Sequence, residues 1–232
     1  MPERYYAPEL VEGLTDWVLD EDEAHHLLRV RRGKVGETIQ LFNGTGLRAD
    51  SVVTEVGKRT ANLKITGFQR TRAPLGLVLG SAPPKGDRLL WLIEKCTELG
   101  VASWTPIMSE RTVVHPGDAK IDKLRRKVVE ACKQCGRDEL MEIRETTPLS
   151  QFLEMKPDGA VGWMLDPSGD SADNSVQAGW ICIGPEGGWT MSELAAAKDS
   201  GWKLQSFPGY VLRIETACLA AAALTSDIRS KR

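Results

Sequence analysis

The sequence predicts an α/β protein in two parts: a small β-rich N-terminal domain, and a larger domain in which short apolar strands alternate with helices over a parallel sheet. Two observations carry that prediction. Up to Thr71 the chain reads as short strands punctuated by turn residues. Beyond Pro74 it changes to apolar runs followed by amphipathic stretches, the pattern of strand–helix units. Between them lies Arg70-Thr71-Arg72-Ala73-Pro74, a polar stretch ending in proline, which divides the chain into residues 1–72 and 73–232.

Taken in order, His25 to Val30 reads as a short helical turn. Ile39 to Phe42 is a strand that runs into Asn43-Gly44, a tight-turn signal because both residues tolerate positive φ. Ser51 to Val56 and Ala61 to Thr66 are strands on either side of a turn at Gly57-Lys58. A domain of about 70 residues sits near the lower limit for independent folding. In the second part Leu75 to Gly80 is a buried strand and Asp87 to Leu99 a helix. The apolar stripe of that helix is Leu89, Leu92, Ile93 and Cys96, and Gly100 stops it. Ile121 to Cys135 is a second helix. Ala160 to Leu165 and Trp180 to Ile183 suit buried parallel strands. Thr190 and Glu193 make a capping box for a helix through Ser200, with Gly201 beyond it. Lys203 to Phe207 is a further strand, and Glu215 to Ile228 a final alanine-rich helix.

Composition is that of an ordinary folded chain, and no apolar stretch is long enough to span a bilayer. The start, Met1-Pro2-Glu3-Arg4-Tyr5-Tyr6, has no apolar signal-peptide core, so a cytoplasmic location is expected. Five scattered cysteines are a poor disulfide framework. Cys132 and Cys135 form a C-x-x-C, but no second Cys/His pair accompanies it and His115 stands alone, so no metal is expected. Net charge is −2. Its distribution is uneven, because residues 24–72 hold ten Lys/Arg against three Asp/Glu. A second basic cluster is Lys120, Lys123, Arg125, Arg126 and Lys127. Such surfaces suit phosphate binding, or are solvated faces balanced by acids elsewhere.

Two segments carry chemistry. Trp180 to Ile183 runs straight into Gly184-Pro185-Glu186-Gly187-Gly188, and a capped helix follows at once. So little side-chain bulk lets backbone groups approach a flat ligand closely. Glycine loops before helices also bind phosphate, yet Glu186 would repel an anion and no P-loop lysine is present; a plain tight turn is the other alternative. The second segment is Phe207 to Ala217, passing from a strand end into the last helix. There Arg213 is a candidate functional cation, and Glu215 either serves the site or simply favours the helix N-terminus.

The order of these motifs resembles the ribosomal RNA small-subunit methyltransferase E family of the SPOUT superfamily. G-P-E-G-G after an apolar strand, and Leu212-Arg213-Ile214-Glu215-Thr216-Ala217, are similar to its two signature loops. Lys85-Gly86-Asp87-Arg88 and Glu94 to Val101 resemble its K-x-D-R and K-x-T-E-L-G-V block. Ser109-Glu110-Arg111-Thr112 and Glu130 to Arg137 resemble two further motifs, and Arg4-Tyr5-Tyr6, His25-His26-Leu27 and Asn43 to Gly46 match a PUA-like N-terminal domain. The last loop departs from the family's L-G-x-R-I-L-R: the glycine is displaced by one position to Gly209, and Tyr210 replaces the first arginine.

The resemblance implies a trefoil-knotted C-terminal domain and methylation of N3 of a uridine in 16S rRNA, with S-adenosylmethionine as cofactor. It implies a homodimer, with the small ribosomal subunit as the setting of the rRNA. Leu165, Gly184, Pro185, Glu186, Gly187, Phe207, Gly209, Val211 and Leu212 are the cofactor-binding candidates. Arg213 and Glu215 are the catalytic candidates, Glu215 orienting Arg213 or helping to shape the loop. Arg4, Arg29, Arg31, Lys85, Arg88, Arg111 and Arg137 are the RNA-binding candidates, the alternative being ordinary solvated cations. An RNA-binding module without catalysis also remains open.

Overall fold

The computed structural model describes residues 2–71, 76–114, 118–171, 179–207 and 209–225, with the backbone alone at 118–120. The positions named above at Arg72 to Leu75, His115, Pro208 and 226–228 therefore lie outside the described residues. The chain divides into two compact units: residues 1–74 with 129–140, and residues 75–128 with 141–232.

The first unit holds β1 (Glu3–Tyr6), β2 (Asp16–Val18), α1 (Glu21–His25), β3 (Thr38–Phe42), β4 (Leu47–Val56) and β5 (Ala61–Arg70). Its five-stranded sheet runs β1-β3-β4-β5-β2. β1 is parallel to β3, and the other pairs are antiparallel. Along β4, Leu47, Ala49, Ser51 and Val53 point inward in alternation, as a half-buried strand requires. They pack with Tyr5, Leu27, Ile39, Leu41 and Leu63. The helical turn expected at His25 begins earlier, at Glu21, because Asp20 caps it by accepting from the Glu23 amide at 2.8 Å. A π-helical turn, His26–Val30, follows. Asn43-Gly44 is not a two-residue turn. The Asn43 side chain accepts from the Thr45 and Leu47 amides (2.8 and 3.1 Å) and organises a longer loop, with Gly44 and Gly46 both at positive φ.

Residues 129–140 belong with this unit, whereas the sequence division at residue 72 assigns them to the second. The reason is a buried charge. Arg4 is 4 % exposed and its guanidinium meets the Asp138 carboxylate, donates to the Arg137 carbonyl at 3.1 Å and lies 4.7 Å from the Phe42 ring centre. Thr71 donates to the other Asp138 oxygen at 2.8 Å, and the Gly46 amide bonds the Asp138 carbonyl at 3.1 Å. Lys133 reaches Glu23 at 2.6 Å.

The second unit holds β6 (Val78–Ser81), α2 (Arg88–Glu98), β7 (Ser103–Met108), the start of α3 (Asp118–Cys135), β8 (Glu142–Ile143), β9 (Thr147–Pro148), α4 (Leu149–Glu154), β10 (Gly162–Ser171), β11 (Trp180–Ile183), α5 (Met191–Asp199), β12 (Lys203–Ser206) and α6 (Ile214–Thr225). A parallel sheet runs β12-β10-β11-β6-β7-β8, with β9 also on β7. β7 is a central strand that the sequence hides, since Ser103, Thr105 and Pro106 interrupt its apolar run. Pro106 is tolerated because β8 pairs only with Ser103 and Trp104, and β9 only with Ile107 and Met108. The gap between those partners falls at the residue with no N–H to donate. α2 buries Leu89, Leu92, Ile93 and Cys96 as its spacing dictates, and α6 packs against α2, β6 and β11. Cys132 and Cys135 lie on one helix. Burial pushes the Cys132 thiol up to about 12, and it donates to the Glu139 carbonyl at 3.5 Å. No described helix is long and apolar enough to cross a membrane.

Asp138→Ala leaves the Arg4 charge buried and uncompensated, so it is expected to destabilise the protein by about 3 kcal/mol or more. Glu21→Ala removes only an exposed pair with Arg59 and is expected to cost less than about 1 kcal/mol. Urea midpoints measure both, and equal midpoints would remove Asp138 from this role.

Candidate functional site

The register break within β10 and the loops leaving the carboxyl ends of β11 and β12 enclose a cleft of about 440 Å³. The first wall is Leu165 to Pro167. There β10 breaks register between Leu165 and Asp170, freeing Asp166 to accept from the Ser168 amide and hydroxyl (2.9 and 2.5 Å). The second wall is the glycine loop. The Gly188 amide closes a turn on the Pro185 carbonyl at 2.8 Å, and Gly188 sits at φ +69°. The Trp189 indole donates to the Leu165 carbonyl at 3.0 Å and lies against Gly184, where an added Cβ would stand 2.8 Å from the ring. Gly184 is thus required by a close approach rather than by its φ.

Two braces hold this loop from outside. Arg111 donates to the carbonyls of Gly187 (2.7 Å) and Trp189 (3.5 Å). The Glu193 carboxylate closes the capping box on the Thr190 amide (2.8 Å), and its other oxygen accepts from the Glu110 amide (2.9 Å). The third wall is Gln205 to Phe207 and Gly209 to Ile214. It turns at Gly209, φ +104°, a value that disfavours any side chain.

Of the sequence-derived cofactor candidates, Leu165, Gly184, Pro185, Glu186, Phe207, Gly209, Val211 and Leu212 all line the cleft. Gly187 does not; its carbonyl is held by Arg111. Arg213 lines the cleft, is exposed, and has no ion-pair or side-chain hydrogen-bond partner among the described residues. Glu215 does not line it. Among the described residues Glu215 meets Arg88 and not Arg213: it is 6 % exposed and pairs with Arg88 at 3.3 Å, and its second oxygen is buried with no hydrogen-bond partner among them.

The RNA-binding candidates separate likewise. Arg4 is buried in the first unit, Arg111 braces the glycine loop, and Arg88 holds Glu215, so their guanidinium groups are engaged within the chain. Arg31 is exposed but paired with Glu3 at 2.8 Å. Arg137 is half-buried, and its carbonyl accepts from Arg4. Arg29 and Lys85 are exposed, as are Arg32 and Lys34 beside Arg29. Much of the basic excess in residues 24–72 is answered by acids, since Arg48, Arg59, Lys64 and Arg70 pair with Asp138, Glu21, Asp16 and Glu12. In the second cluster Arg125 pairs with Asp122 and Lys127 with Glu94, and the Lys120 side chain lies outside the description. Sequence reasoning missed Ile183, Trp189 and Gln205 in the cleft wall. Of these only Trp189 leaves a signal, as a large ring directly after paired glycines.

Comparison with known proteins agrees with this geometry. An RNA methyltransferase domain family matches residues 71–226, and an RNA methyltransferase PUA domain family matches residues 19–66. A relative named ribosomal RNA small subunit methyltransferase E from Synechocystis is 31 % identical over 211 residues, 87 % of this chain and 69 % of the relative. One of the same name from Bacillus subtilis is 25 % identical, over 93 % of this chain and 91 % of the relative. The crystal structure of a ribosomal RNA small subunit methyltransferase E from Neisseria gonorrhoeae, bound to S-adenosyl methionine, superposes with a TM-score of 0.87 at 27 % identity, covering 96 % of each chain.

The Arg88–Glu215 pair is asymmetric, because Arg88 is 39 % exposed and Glu215 is buried. Arg88→Ala strands a buried carboxylate and is expected to cost about 3 kcal/mol. Glu215→Gln lets Arg88 turn to solvent, at about 1 kcal/mol. Thermal denaturation of the two variants ranks them, and a larger loss for Glu215→Gln would contradict this asymmetry.

Proposed function

The chain belongs to the ribosomal RNA small subunit methyltransferase E family, and on that footing we propose that it methylates N3 of a uridine in 16S rRNA, with S-adenosylmethionine as cofactor. The observation that carries this is the cleft itself: the break in β10 and the loops after β11 and β12, the first of these rich in glycine, converging where the sheet's ligands belong. The residues present fit the cofactor. Gly184, pressed on Trp189, keeps the second wall open to a flat ring, while Leu165, Ile183, Val211 and Leu212 supply apolar surface.

S-adenosylmethionine supplies an activated methyl group on a sulfonium. The protein's own contribution is to hold the acceptor nitrogen in line with it, and rigid walls are what such positioning needs. A uridine N3 must lose its proton, leaving negative charge on the ring and its carbonyls. Arg213 is the one cationic side chain among the described residues that line the cleft, beside Asp166 and Glu186. We assign it to that charge, an interaction stronger in the transition state than in the ground state. Residues 1–72 form the PUA-like RNA-binding domain in this proposal. Exposed Arg29 and Lys85 remain the best of the RNA-backbone candidates, with Arg32 and Lys34 beside Arg29. Threading of the last segment as a trefoil knot, a homodimer, a cytoplasmic location and a substrate within the small ribosomal subunit complete the proposal. They are supported by family membership.

Transfer of labelled methyl from S-adenosylmethionine to 16S rRNA from cells lacking this protein, followed by mass mapping of the nucleosides, tests the function. No label in rRNA would reject it. Arg213→Ala is expected to lower kcat about 10²- to 10³-fold while cofactor affinity, measured by calorimetry, is kept. Gly184→Ala is the complement: its Cβ displaces the Trp189 ring, so cofactor affinity should fall by about tenfold or more. Near-normal turnover in Arg213→Ala with intact RNA binding would reject the assigned role.

A further inference from the structure

The third wall of the cleft carries one side chain, Tyr210, to which the cofactor assignment gives no part. Tyr210 is 94 % exposed and Val211 90 % exposed, side by side on the loop that lines the cleft and leads into Arg213. A single exposed apolar residue needs no explanation. Here an exposed aromatic ring lines the site, three residues before a cation with no partner among the described residues. Among the described residues the ring makes no aromatic contact, cation contact or hydrogen bond within the chain, so no internal packing accounts for it. Gly209 at φ +104° turns the backbone immediately before it.

We propose that Tyr210 is the platform on which the target base stacks when it leaves its neighbours in the RNA. This rests on the methyltransferase reading and goes beyond it by naming the residue that receives the base. A base inside a stack cannot present N3 to a cleft, and unstacking it forfeits the contact of both its faces. An aromatic ring restores one face, whatever the base, because every base has a π surface. Arg213, three residues along, would then meet the ring's carbonyls at the edge while Tyr210 covers the face. Charge argues for this occupant over a second copy of the chain. A self-contact centred on this loop would bring two unpaired Arg213 cations toward each other, whereas an RNA strand brings phosphates. Phenylalanine would serve as well as tyrosine, since the face of the ring does the stacking.

A thermodynamic cycle tests it. The methylated uridine is first located with the unaltered chain, and RNA binding in the presence of S-adenosylmethionine is then measured with that nucleotide intact or abasic. Tyr210→Ala is expected to weaken binding of the intact RNA about tenfold, with Tyr210→Phe close to the unaltered chain. Removing the base should cost the unaltered chain a similar factor and Tyr210→Ala almost nothing more, since partners in contact are non-additive. Cofactor affinity and melting temperature should stay unchanged in both variants. Additive losses, an unchanged RNA affinity in Tyr210→Ala, or a fall in molecular mass by light scattering that accounts for the loss would each overturn the proposal. A chain that methylates rRNA yet gives additive losses sinks the stacking role alone, and one that leaves rRNA unlabelled sinks the methyltransferase reading itself.

Discussion

The cleft depends on the contact between Trp189 and Gly184. The indole is 6 % exposed, donates to the Leu165 carbonyl, and fills the space that a Cβ on Gly184 would need. One side chain therefore fixes the end of β10 against the end of β11 and sets the height of the glycine loop between them. Arg111 and Glu193 hold the same loop from outside through backbone carbonyls and amides. Two walls are over-determined in this way. The third joins β12 to α6, and it carries the exposed Tyr210, Val211 and Arg213. Firm walls suit a small ligand whose reactive atom must be placed to a fraction of an ångström, and the open wall suits a large partner that arrives from solvent.

Charge follows the same division of labour. A net charge of −2 with a local basic excess suggests an RNA-facing surface, but several of the candidate arginines have structural duties. Arg4 is buried on Asp138, Arg48 reaches the same carboxylate, Arg88 neutralises a buried glutamate, and Arg111 spends its donors on carbonyls. An arginine's planar fork suits these tasks, because it satisfies several acceptors at once from a single side chain. Counting cations along a sequence cannot separate these roles, since the partners lie far away in the chain: Arg4 to Asp138 and Arg88 to Glu215.

What could be read from the sequence was local. The strand Trp180 to Ile183, the capping box at Thr190 and Glu193, the stripe of α2 and the stops at Gly100 and Gly201 all follow from period and terminal chemistry within a few residues. So did most of the cleft, because a glycine loop between a strand and a capped helix announces itself. β7 did not, since its buried positions include Ser103, Thr105 and Pro106, which read as loop until the gap between β8 and β9 is known. Trp189 and Gln205 were missed because a wall residue is defined by what faces it. Glu215 misled for the opposite reason: adjacent in sequence to Arg213, it sits in the first turn of α6, and its carboxylate faces α2.

The departure of the last loop from its family pattern takes on a physical sense here. Gly209 holds φ +104°, so the bend needs a glycine at that position, wherever the pattern elsewhere puts it. Tyr210, where the pattern has an arginine, then leaves Arg213 as the one cation among the described cleft-lining residues, set against the carboxylates of Asp166 and Glu186. Two cations would share the task of meeting charge on the reacting base, and either could partly cover for the other's loss. With one, the burden falls on a single guanidinium just before α6, whose first turn holds the buried Glu215. On the roles proposed for Arg213 and Tyr210, an aromatic ring in place of a cation exchanges electrostatic redundancy for a stacking surface.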